Sequence, residues 1–343
     1  MLKKRDWCLC TVVALLLAAA SAASAQVKVR TIDYEGWSDC YELTNPLARL
    51  VIVPQIGGRI MEYSIGGKNV MWLNEGELGK TSGDDIGKKW RNYGGYKAWN
   101  APESKWQEPY IDYFYDSMPA KVEVLTNGSG VRVTTSPLLH RGLQFVRDII
   151  LSDSTSRVRL VERMKNVSDV EIEWSIWDVT QVKVPCWIVF PVNPDSVFGR
   201  GWHVLHPKGG EIKQVRVFND IGIMRYDNRV ENWETDARGG WMAYLNNDLA
   251  YTKRWAVRLV DVTYPDGGCD SAFYSCKTDY AGGYSEMEVL GPLVKLKPGE
   301  ETELVEDWFL SELEESADDV PAVMARMRSL QDRGMLPRGV QFK

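Results

Sequence analysis

The sequence predicts an all-β protein, a large antiparallel β-sandwich with a C-terminal α-helix. Apolar and polar residues alternate with period two from Val27 to about Leu310, and turn residues interrupt this pattern about every eight to twelve residues. More than a dozen strands without an intervening linker favour a large sandwich. The helical spacing of apolar residues is convincing in one segment, which lies at the end of the chain.

The predicted strands follow this alternation in chain order. Arg49–Val53 is a hydrophobic run typical of a buried strand, Pro54–Gly58 is a turn, and Arg59–Ile65 is the next strand. Gly66–Asn69 is typical of a hairpin turn that leads into Val70–Leu73. Further strands are predicted at 120–125, 131–136, 144–151, 157–165, 170–182, 211–217, 240–246, 254–262, 284–290 and 302–310.

The last predicted element is a helix at about residues 317–333. Asp318 and Asp319 suit its N-terminus, and Gly334 suits its C-terminal cap. We expect this amphipathic helix to be a packing element. Five apolar residues would share its buried face: Val320, Val323, Met324, Met327 and Leu330.

The chain from residue 26 to residue 343 is predicted to form one domain. No internal repeat, low-complexity tract or linker divides it. The Pro- and Gly-containing segment Trp187–His206 is expected to be irregular.

The first 25 residues have the pattern of a signal peptide. A positive region at Lys3–Arg5 precedes an apolar run at Thr11–Ala20 and small residues at Ala23–Ala25. The apolar run is too short to span a bilayer comfortably, and no later stretch could span one. The sequence therefore predicts a periplasmic or secreted protein that is cleaved after Ala25 and does not span the membrane.

Composition and charge narrow the classes of partner. The net charge is −6 with both signs interspersed, and there is no basic stripe of the kind that binds nucleic acid. Fourteen Trp and fifteen Tyr against eight Phe give an aromatic set that favours ligand contact, because indole and phenol carry a polar group. The sequence leaves the oligomeric state open.

Four cysteines remain after the predicted cleavage: Cys40, Cys186, Cys269 and Cys276. Cys269 and Cys276 are close enough in sequence to bridge across a hairpin, but their pairing cannot be fixed from sequence. There is no CxxC motif and no Cys/His spacing typical of a metal site, so no metal and no cofactor is predicted.

The segment Trp90–Trp106 is the most ligand-like stretch of the chain. It combines three Trp and two Tyr with amides, charges and a Gly94–Gly95 pair. Aromatic faces attract cations and the C–H faces of sugars, and the glycines permit a tight turn or a close approach of backbone. We expect an aromatic, polar loop; the alternative is a loop whose tryptophans only cover the core.

Tyr284–Pro292 is the second informative stretch. On a strand, Tyr284, Glu286 and Glu288 would share one face. Such a face is either a site for binding hydroxyl groups or moving protons, or a solvated outer surface.

Three ordered blocks spanning roughly residues 40–310 resemble a known superfamily. The blocks are Leu43–Val53 with Gly57–Ile60 and Asn69–Trp72; Asn92–Trp99 with Ala101–Pro102 and Trp106; and Lys253–Trp255, Tyr264–Gly267, Glu286–Pro292, Leu296–Glu300 and Glu306–Trp308. Their order and spacing are similar to the galactose mutarotase-like superfamily, which has the aldose 1-epimerase fold, and more closely to one of its bacterial families of unknown function.

The resemblance implies a supersandwich whose concave face binds a saccharide. In epimerases of this superfamily, a late-strand Glu takes the anomeric hydroxyl proton, a His protonates the ring oxygen, and a second His and an Arg orient the sugar. By position, Arg59 matches this arginine. Glu286 or Glu288 matches the glutamate, and Glu288 is preferred.

The resemblance fails at the catalytic acid. The comparable stretch, Trp174–Gln181, contains no His. The three histidines of the chain, His140, His203 and His206, lie elsewhere, and a lone His is usually structural. Asp178 or Lys97 could replace the acid.

The sequence thus predicts an exported carbohydrate-binding protein. Its alternatives are an aldose 1-epimerase-like or other sugar-modifying enzyme, with Glu288 or Glu286 as base and a non-standard acid, and a structural protein of the cell envelope. The candidate stacking residues are Trp90, Trp99 and Trp106. The candidate polar contacts are Arg59, Asn92, Lys97, Asp178, Lys253, Glu286 and Glu288.

Overall fold

The structure is a computed structural model that describes residues 26–83, 90–106, 118–205 and 215–342. The predicted signal peptide, His206 and the first part of the strand predicted at 211–217 lie outside these ranges. Within them, no helix has the length and apolar character needed to cross a membrane.

The described residues form 22 strands and one α-helix, numbered here in chain order. The helix α1 is Val320–Asp332. The strands are β1 Lys28–Tyr34, β2 Trp37–Thr44, β3 Ala48–Val53, β4 Arg59–Ile65, β5 Lys68–Asn69, β6 Tyr96–Ala101, β7 Lys121–Val124, β8 Gly130–Thr134, β9 Leu143–Leu151, β10 Val158–Asn166, β11 Ile172–Lys183, β12 Trp187–Pro191, β13 His203–Val204, β14 Val215–Phe218, β15 Ile221–Arg225, β16 Glu231–Thr235, β17 Trp241–Leu245, β18 Leu249–Trp255, β19 Ser271–Cys276, β20 Tyr284–Leu290, β21 Val294–Leu296 and β22 Glu301–Glu312.

The strands described form two antiparallel sheets. The twelve-stranded sheet has the order β1-β2-β3-β4-β6-β11-β20-β19-β16-β13, with β5 beside β4 and β21 beside β11. The ten-stranded sheet has the order β14-β15-β12-β17-β18-β22-β10-β9-β8-β7. The predicted class, a large antiparallel sandwich with a C-terminal helix, is confirmed.

The main core lies between the two sheets and is rich in aromatic side chains. Trp233 and Phe273 of the twelve-stranded sheet stack with ring centroids 4.2 Å apart, and Phe190 of the ten-stranded sheet packs 5.0 Å from Trp233. All three are fully buried. Removing the apolar surface of each such side chain from water contributes about 1.5–3 kcal/mol to the free energy of unfolding, so these contacts hold the sheets together.

Helix α1 packs on the outer side of the ten-stranded sheet. Val323, Met327 and Leu330 are buried there in a cluster with residues of β12, β15 and β17. The carboxylate of Asp319 accepts the backbone N–H of Ala322, which satisfies one of the free donors at the helix start. The predicted apolar face of the helix is the buried face.

Three local predictions were wrong. The segment Trp90–Trp106 is not all loop, because β6 lies in it and pairs with β11 near the middle of the twelve-stranded sheet. The segment Trp187–His206 contains β12 and β13. The strand predicted at 254–262 is β18, which ends at Trp255. In the first two segments Trp, Pro or Gly obscured the period, and cross-strand pairing decided the conformation. In the third, the alternation continues beyond Trp255, the last residue of β18 that pairs with β22.

The glycine pair before β6 permits a close approach of backbone. Gly94 and Gly95 have φ of 98° and 70°. A Cβ atom at Gly94 would lie 2.3 Å from the carbonyl oxygen of Trp72, and one at Gly95 would lie 2.4 Å from that of Ile60. Only glycine fits both positions, and this close packing fixes where β6 begins.

The four cysteines of the described chain are free and buried. Cys269 and Cys276 do not bridge a hairpin, because β19 runs between them. At about 3.3 Å per residue, such a strand separates their Cα atoms by roughly 20 Å, far beyond the limit of about 7 Å for a disulfide.

Candidate functional site

The outer face of the twelve-stranded sheet, defined as the side turned away from the ten-stranded sheet, carries a cluster of polar and aromatic side chains. Side chains alternate between the two faces of a strand. On β20, Met287 and Val289 join the core between the sheets, whereas Leu290 packs on the other side against Trp177. Glu286 and Glu288 therefore lie on the outer face.

The two glutamates of the outer face form an acidic pair in which Glu288 is buried and Glu286 is partly buried. Trp177 Nε1 donates to Glu288 Oε2 at 2.6 Å, and Gln181 Nε2 donates to Glu286 Oε1 at 2.9 Å. Lys97 Nζ lies 4.0 Å from Glu286 Oε1.

Burial raises the pKa of both carboxyl groups. The pKa of Glu288 is raised well above its ordinary value by burial and then by the charge of Glu286. The pKa of Glu286 is raised by burial, an effect that nearby Lys97 opposes. Burial, and for Glu288 also the charge of Glu286, favours the protonated form of each carboxyl group, and the two groups lie beside each other and beside the ammonium group of Lys97.

Trp177 contacts the pair directly, and three further tryptophans form an aromatic cluster with Trp177 and Lys97. Lys97 Nζ lies 3.8 Å from the ring centroid of Trp99 and 5.5 Å from that of Trp90. The Trp99 ring packs edge-to-face against Trp177 and Trp106, with centroids 5.3 Å and 5.5 Å away. Trp106 is 5 % exposed, so it supports the other rings, whereas Trp99 is half-buried.

A cavity of about 300 Å³ adjoins this aromatic cluster. The volume is at the lower end of the range for small-molecule sites. Trp177 and Leu290 line it on the side of the acidic pair, and Glu234 and Asp266 line it on the side of β16. The full lining is Ala101, Glu103, Ser104, Trp177, Leu205, Glu234, Asp266 and Leu290.

A second polar cluster borders the same cavity. His203 Nε2 lies 3.3 Å from Glu234 Oε2 and 3.4 Å from Cys269 Sγ. Burial, with the nearby charge of Asp266, raises the pKa of Glu234 to about 8. Burial and the Glu234 carboxyl also raise the pKa of the Cys269 thiol. These three side chains are a donor set that could hold a metal ion.

Arg59 and Asn92 are buried and make hydrogen bonds at the segment that leads into β6. Arg59 is 1 % exposed, and its Nη1 donates to the carbonyl oxygen of Gly94 at 2.9 Å. The backbone carbonyl of Asn92 accepts a hydrogen bond of 2.9 Å from Asn74 Nδ2. Both residues hold the segment before β6 in place.

Asp178 of β11 and Lys253 of β18 lie between the two sheets, so the structure separates these two predicted ligand contacts from the acidic pair on the outer face. Lys253 pairs with Asp178 and lies 3.5 Å from Glu306 Oε2, and all three side chains are inaccessible to solvent. Asp178 follows Trp177 on β11, so the alternation of the strand turns it into the sandwich. Burial and Glu306 raise the pKa of Asp178 well above its ordinary value.

The described histidines are not close partners of the acidic pair. His140 is exposed, and His203 contacts Glu234 and Cys269. Lys97, whose Nζ lies 4.0 Å from Glu286 Oε1, and the carboxyl groups of the pair themselves are candidates for a proton donor at this position.

Trp177, Gln181, Glu234 and Cys269 were missed by sequence reasoning. The sequence does contain a signal for Trp177 and Gln181, because both lie at alternate positions of the stretch Trp174–Gln181 and so share one face of a strand. Glu234 and Cys269 are 35 residues apart in sequence and far from His203, so no short motif joins them.

Comparisons with known proteins agree with this architecture. The profile of the family described as Domain of unknown function (DUF4380) matches residues 115–311, more than half of the chain. No curated protein matches the sequence.

Solved structures of three bacterial proteins share the fold. A candidate aldose 1-epimerase from Klebsiella pneumoniae is 10% identical, with 89% of this chain and 87% of that chain covered and a TM-score of 0.58. A galactose mutarotase-like protein from Clostridium acetobutylicum is 10% identical, with 84% and 99% covered and a TM-score of 0.54. Another from Lactobacillus casei is 8% identical, with 82% and 100% covered and a TM-score of 0.52. At these identities the likeness concerns the fold. The chain has a galactose mutarotase-like sandwich and belongs to the DUF4380 family.

Proposed function

We propose that the protein binds a saccharide in the outer-face cavity beside Trp177. The observation that carries this proposal is the position of Trp177, which lines the cavity and donates its indole N–H to buried Glu288. An aromatic wall backed by carboxyl groups is the combination that recognises a sugar, because sugars present C–H faces and hydroxyl groups together.

The size of the cavity favours one sugar unit. About 300 Å³ has room for a monosaccharide or for a single residue of a longer chain. Glu234 and Asp266, on the far wall, add acceptors for hydroxyl groups.

Sugar modification of the aldose 1-epimerase type is the second candidate, and the acidic pair favours it. The ionised member of the acidic pair, Glu286 or Glu288, would accept the proton of the anomeric hydroxyl. The bond between the anomeric carbon and the ring oxygen would then break as that oxygen takes a proton from Lys97 or from the other carboxyl group of the pair. Ring closure on the other face would return both protons. Two adjacent carboxyl groups beside a lysine are suited to this exchange, because one group can accept a proton while its neighbour donates one.

One-dimensional proton NMR of freshly dissolved aldoses and short oligosaccharides, with and without the protein, tests both candidates. We expect line broadening of at least one sugar. Faster anomeric interconversion that is lost in Glu288→Gln would establish the enzymatic candidate, and broadening alone would establish binding. Glu173→Gln is the control, because this half-exposed carboxylate pairs with Lys105 at the surface. Absence of broadening across the panel would contradict both and favour a structural role.

We also propose that binding takes place outside the cytoplasm. The support is the leader pattern of residues 1–25. Mass spectrometry of the mature protein should find an N-terminus at Gln26, whereas an uncleaved chain in the cytoplasm would contradict export.

A further inference from the structure

We propose that His203, Glu234 and Cys269 bind a divalent transition-metal ion of the zinc type at the edge of the cavity. The proposal concerns a separate cluster and does not depend on saccharide binding. Imidazole nitrogen, thiolate sulfur and carboxylate oxygen are the three donor types that zinc prefers in proteins.

Two of the three donor distances match a tetrahedral site. Bonds of about 2.0–2.3 Å place two ligand atoms of a tetrahedron about 3.4–3.6 Å apart. His203 Nε2 lies 3.3 Å from Glu234 Oε2 and 3.4 Å from Cys269 Sγ. All three donor atoms lie within 4.8 Å of one another. Only small side-chain movements would admit an ion.

The surroundings of Glu234 indicate that a cation binds beside its carboxyl group. The residue is 2 % exposed, and its Oε2 atom accepts no well-aligned N–H bond from the described residues; its neighbours are the His203 imidazole at 3.3 Å and the Cys269 thiol. A thiol is a weak hydrogen-bond donor, so a buried carboxyl group in this setting is costly. A metal ion at the centre of the cluster would satisfy this oxygen together with the imidazole and the thiolate.

The backbone on each side of the cluster is held in place. The Asp270 carboxylate accepts the backbone N–H groups of Ala237 and Arg238 at 3.1 Å and 2.8 Å, which ties the segment after β16 to the residue next to Cys269. Phe198 stacks on the His203 ring at 4.5 Å. Such support orients metal ligands before the ion arrives.

The same region leaves space for a fourth ligand. Glu234 lines the cavity together with Asp266, so an ion held by three side chains would border open space. Three protein ligands with one open position are typical of reactive zinc sites, whereas structural sites are closed by four. We infer that the fourth position takes water or the Asp266 carboxylate.

A cysteine nucleophile activated by His203 is the competing interpretation of these contacts. Such a thiol needs exposure and an electropositive environment. Cys269 is fully buried, and its Sγ atom lies 3.4 Å from His203 Nε2 and 3.4 Å from the backbone carbonyl oxygen of Asp266, so a substrate cannot reach it. The geometry therefore favours a metal over nucleophilic catalysis.

Titration of the chelator-treated protein with Co²⁺ tests the proposal. We expect one equivalent to bind with the absorption of tetrahedral Co²⁺ and a thiolate-to-metal charge-transfer band, and Zn²⁺ to displace it. His203→Asn and Cys269→Ser should weaken binding by more than the roughly 10–100-fold that loss of a supporting group costs. His140→Asn and Cys276→Ser are matched controls that should bind as the wild type does.

Measurements on the wild-type protein decide the proposal even if a variant of a metal-ligating residue fails to fold. A thiolate band at one equivalent, together with an increase in thermal stability on adding Zn²⁺, supports the site. Lack of binding at micromolar metal, binding without a sulfur ligand, or equal binding by the folded Cys269→Ser variant overturns it.

Discussion

Two clusters of ionisable side chains lie on opposite faces of the same sheet. On the outer face, Lys97 meets Glu286 and Glu288 among tryptophans. Between the sheets, Lys253 meets Asp178 and Glu306. Both clusters are largely buried and both contain a lysine with two acids, yet one adjoins a cavity and the other is enclosed by the second sheet.

The inner cluster extends across the sandwich. Arg147 Nε lies 3.5 Å from Glu162 Oε2, and Tyr96 donates to the same oxygen at 3.0 Å. Strands of both sheets thus contribute to one network, whose role is to join them. Residue type alone therefore does not distinguish a binding site from a structural ion pair. The distinguishing feature is whether the second sheet encloses the cluster.

The largest expected effect comes from removing the inner lysine. Lys253→Met leaves Asp178 and Glu306 buried without their cation, and we expect a loss of about 3–5 kcal/mol in the free energy of unfolding. Lys97→Met should cost about 1–2 kcal/mol, because the outer cluster is not closed by a second sheet. Urea unfolding of the two variants measures both.

A double variant checks the cause of this loss. Replacing Asp178 by Asn in the Lys253→Met background removes one uncompensated acid, so part of the lost stability should return. Equal destabilisation by Lys253→Met and Lys97→Met would contradict the distinction between the clusters.

The next effect is the pH dependence of stability. Burial raises the pKa of Glu162 from 4.5 to about 8. Between these values the folded protein holds a proton that the unfolded chain has released, so stability should fall as pH rises from about 4.5 to about 8, by up to about 1.4 kcal/mol per pH unit. Urea midpoints measured across this range test the slope, and Glu162→Gln should flatten it.

The outer cluster provides the contrast. Glu286→Gln should also flatten the pH dependence of stability, because burial raises the pKa of Glu286 as well. It should in addition change the pH profile of sugar binding, whereas Glu162→Gln should leave that profile as it is. Stability that rises over this range would contradict the account.

Much of the fold could be predicted from the sequence. Arg59–Ile65 and Tyr284–Leu290 are strands with the predicted bounds, because turn residues flank a regular alternation. β6 could not be predicted in this way, since its Lys, Trp and Asn residues match the composition of a loop. Its conformation depends on pairing with β11, a partner more than 70 residues later.

The candidate site was harder to predict than the fold. Alternation correctly grouped Glu286 with Glu288, but it gives no information on which face of a strand meets the second sheet. The sequence therefore predicted Asp178 as a ligand contact, whereas the residue of this strand that lines the cavity is its neighbour Trp177. The cluster of His203 and Cys269 depends on contacts between distant segments, which no local spacing reveals.

The smallest predicted effect tests most directly the central claim that the outer face binds a saccharide. Trp177 Nε1 donates a 2.6 Å hydrogen bond to Glu288 on the outer face, and Trp187 Nε1 donates one of the same length to the Ala317 carbonyl beside the ten-stranded sheet. Replacing either tryptophan by Phe removes this bond and keeps an aromatic ring. The two variants form a matched pair.

Calorimetric titration of both variants with the sugar that shows the strongest NMR broadening is the decisive measurement. If the outer face is the saccharide site, Trp177→Phe should weaken binding about tenfold, or about 1.4 kcal/mol, and Trp187→Phe should bind as the wild type does. Unchanged affinity in Trp177→Phe, equal losses in the two variants, or no sugar binding by the wild type would contradict the account.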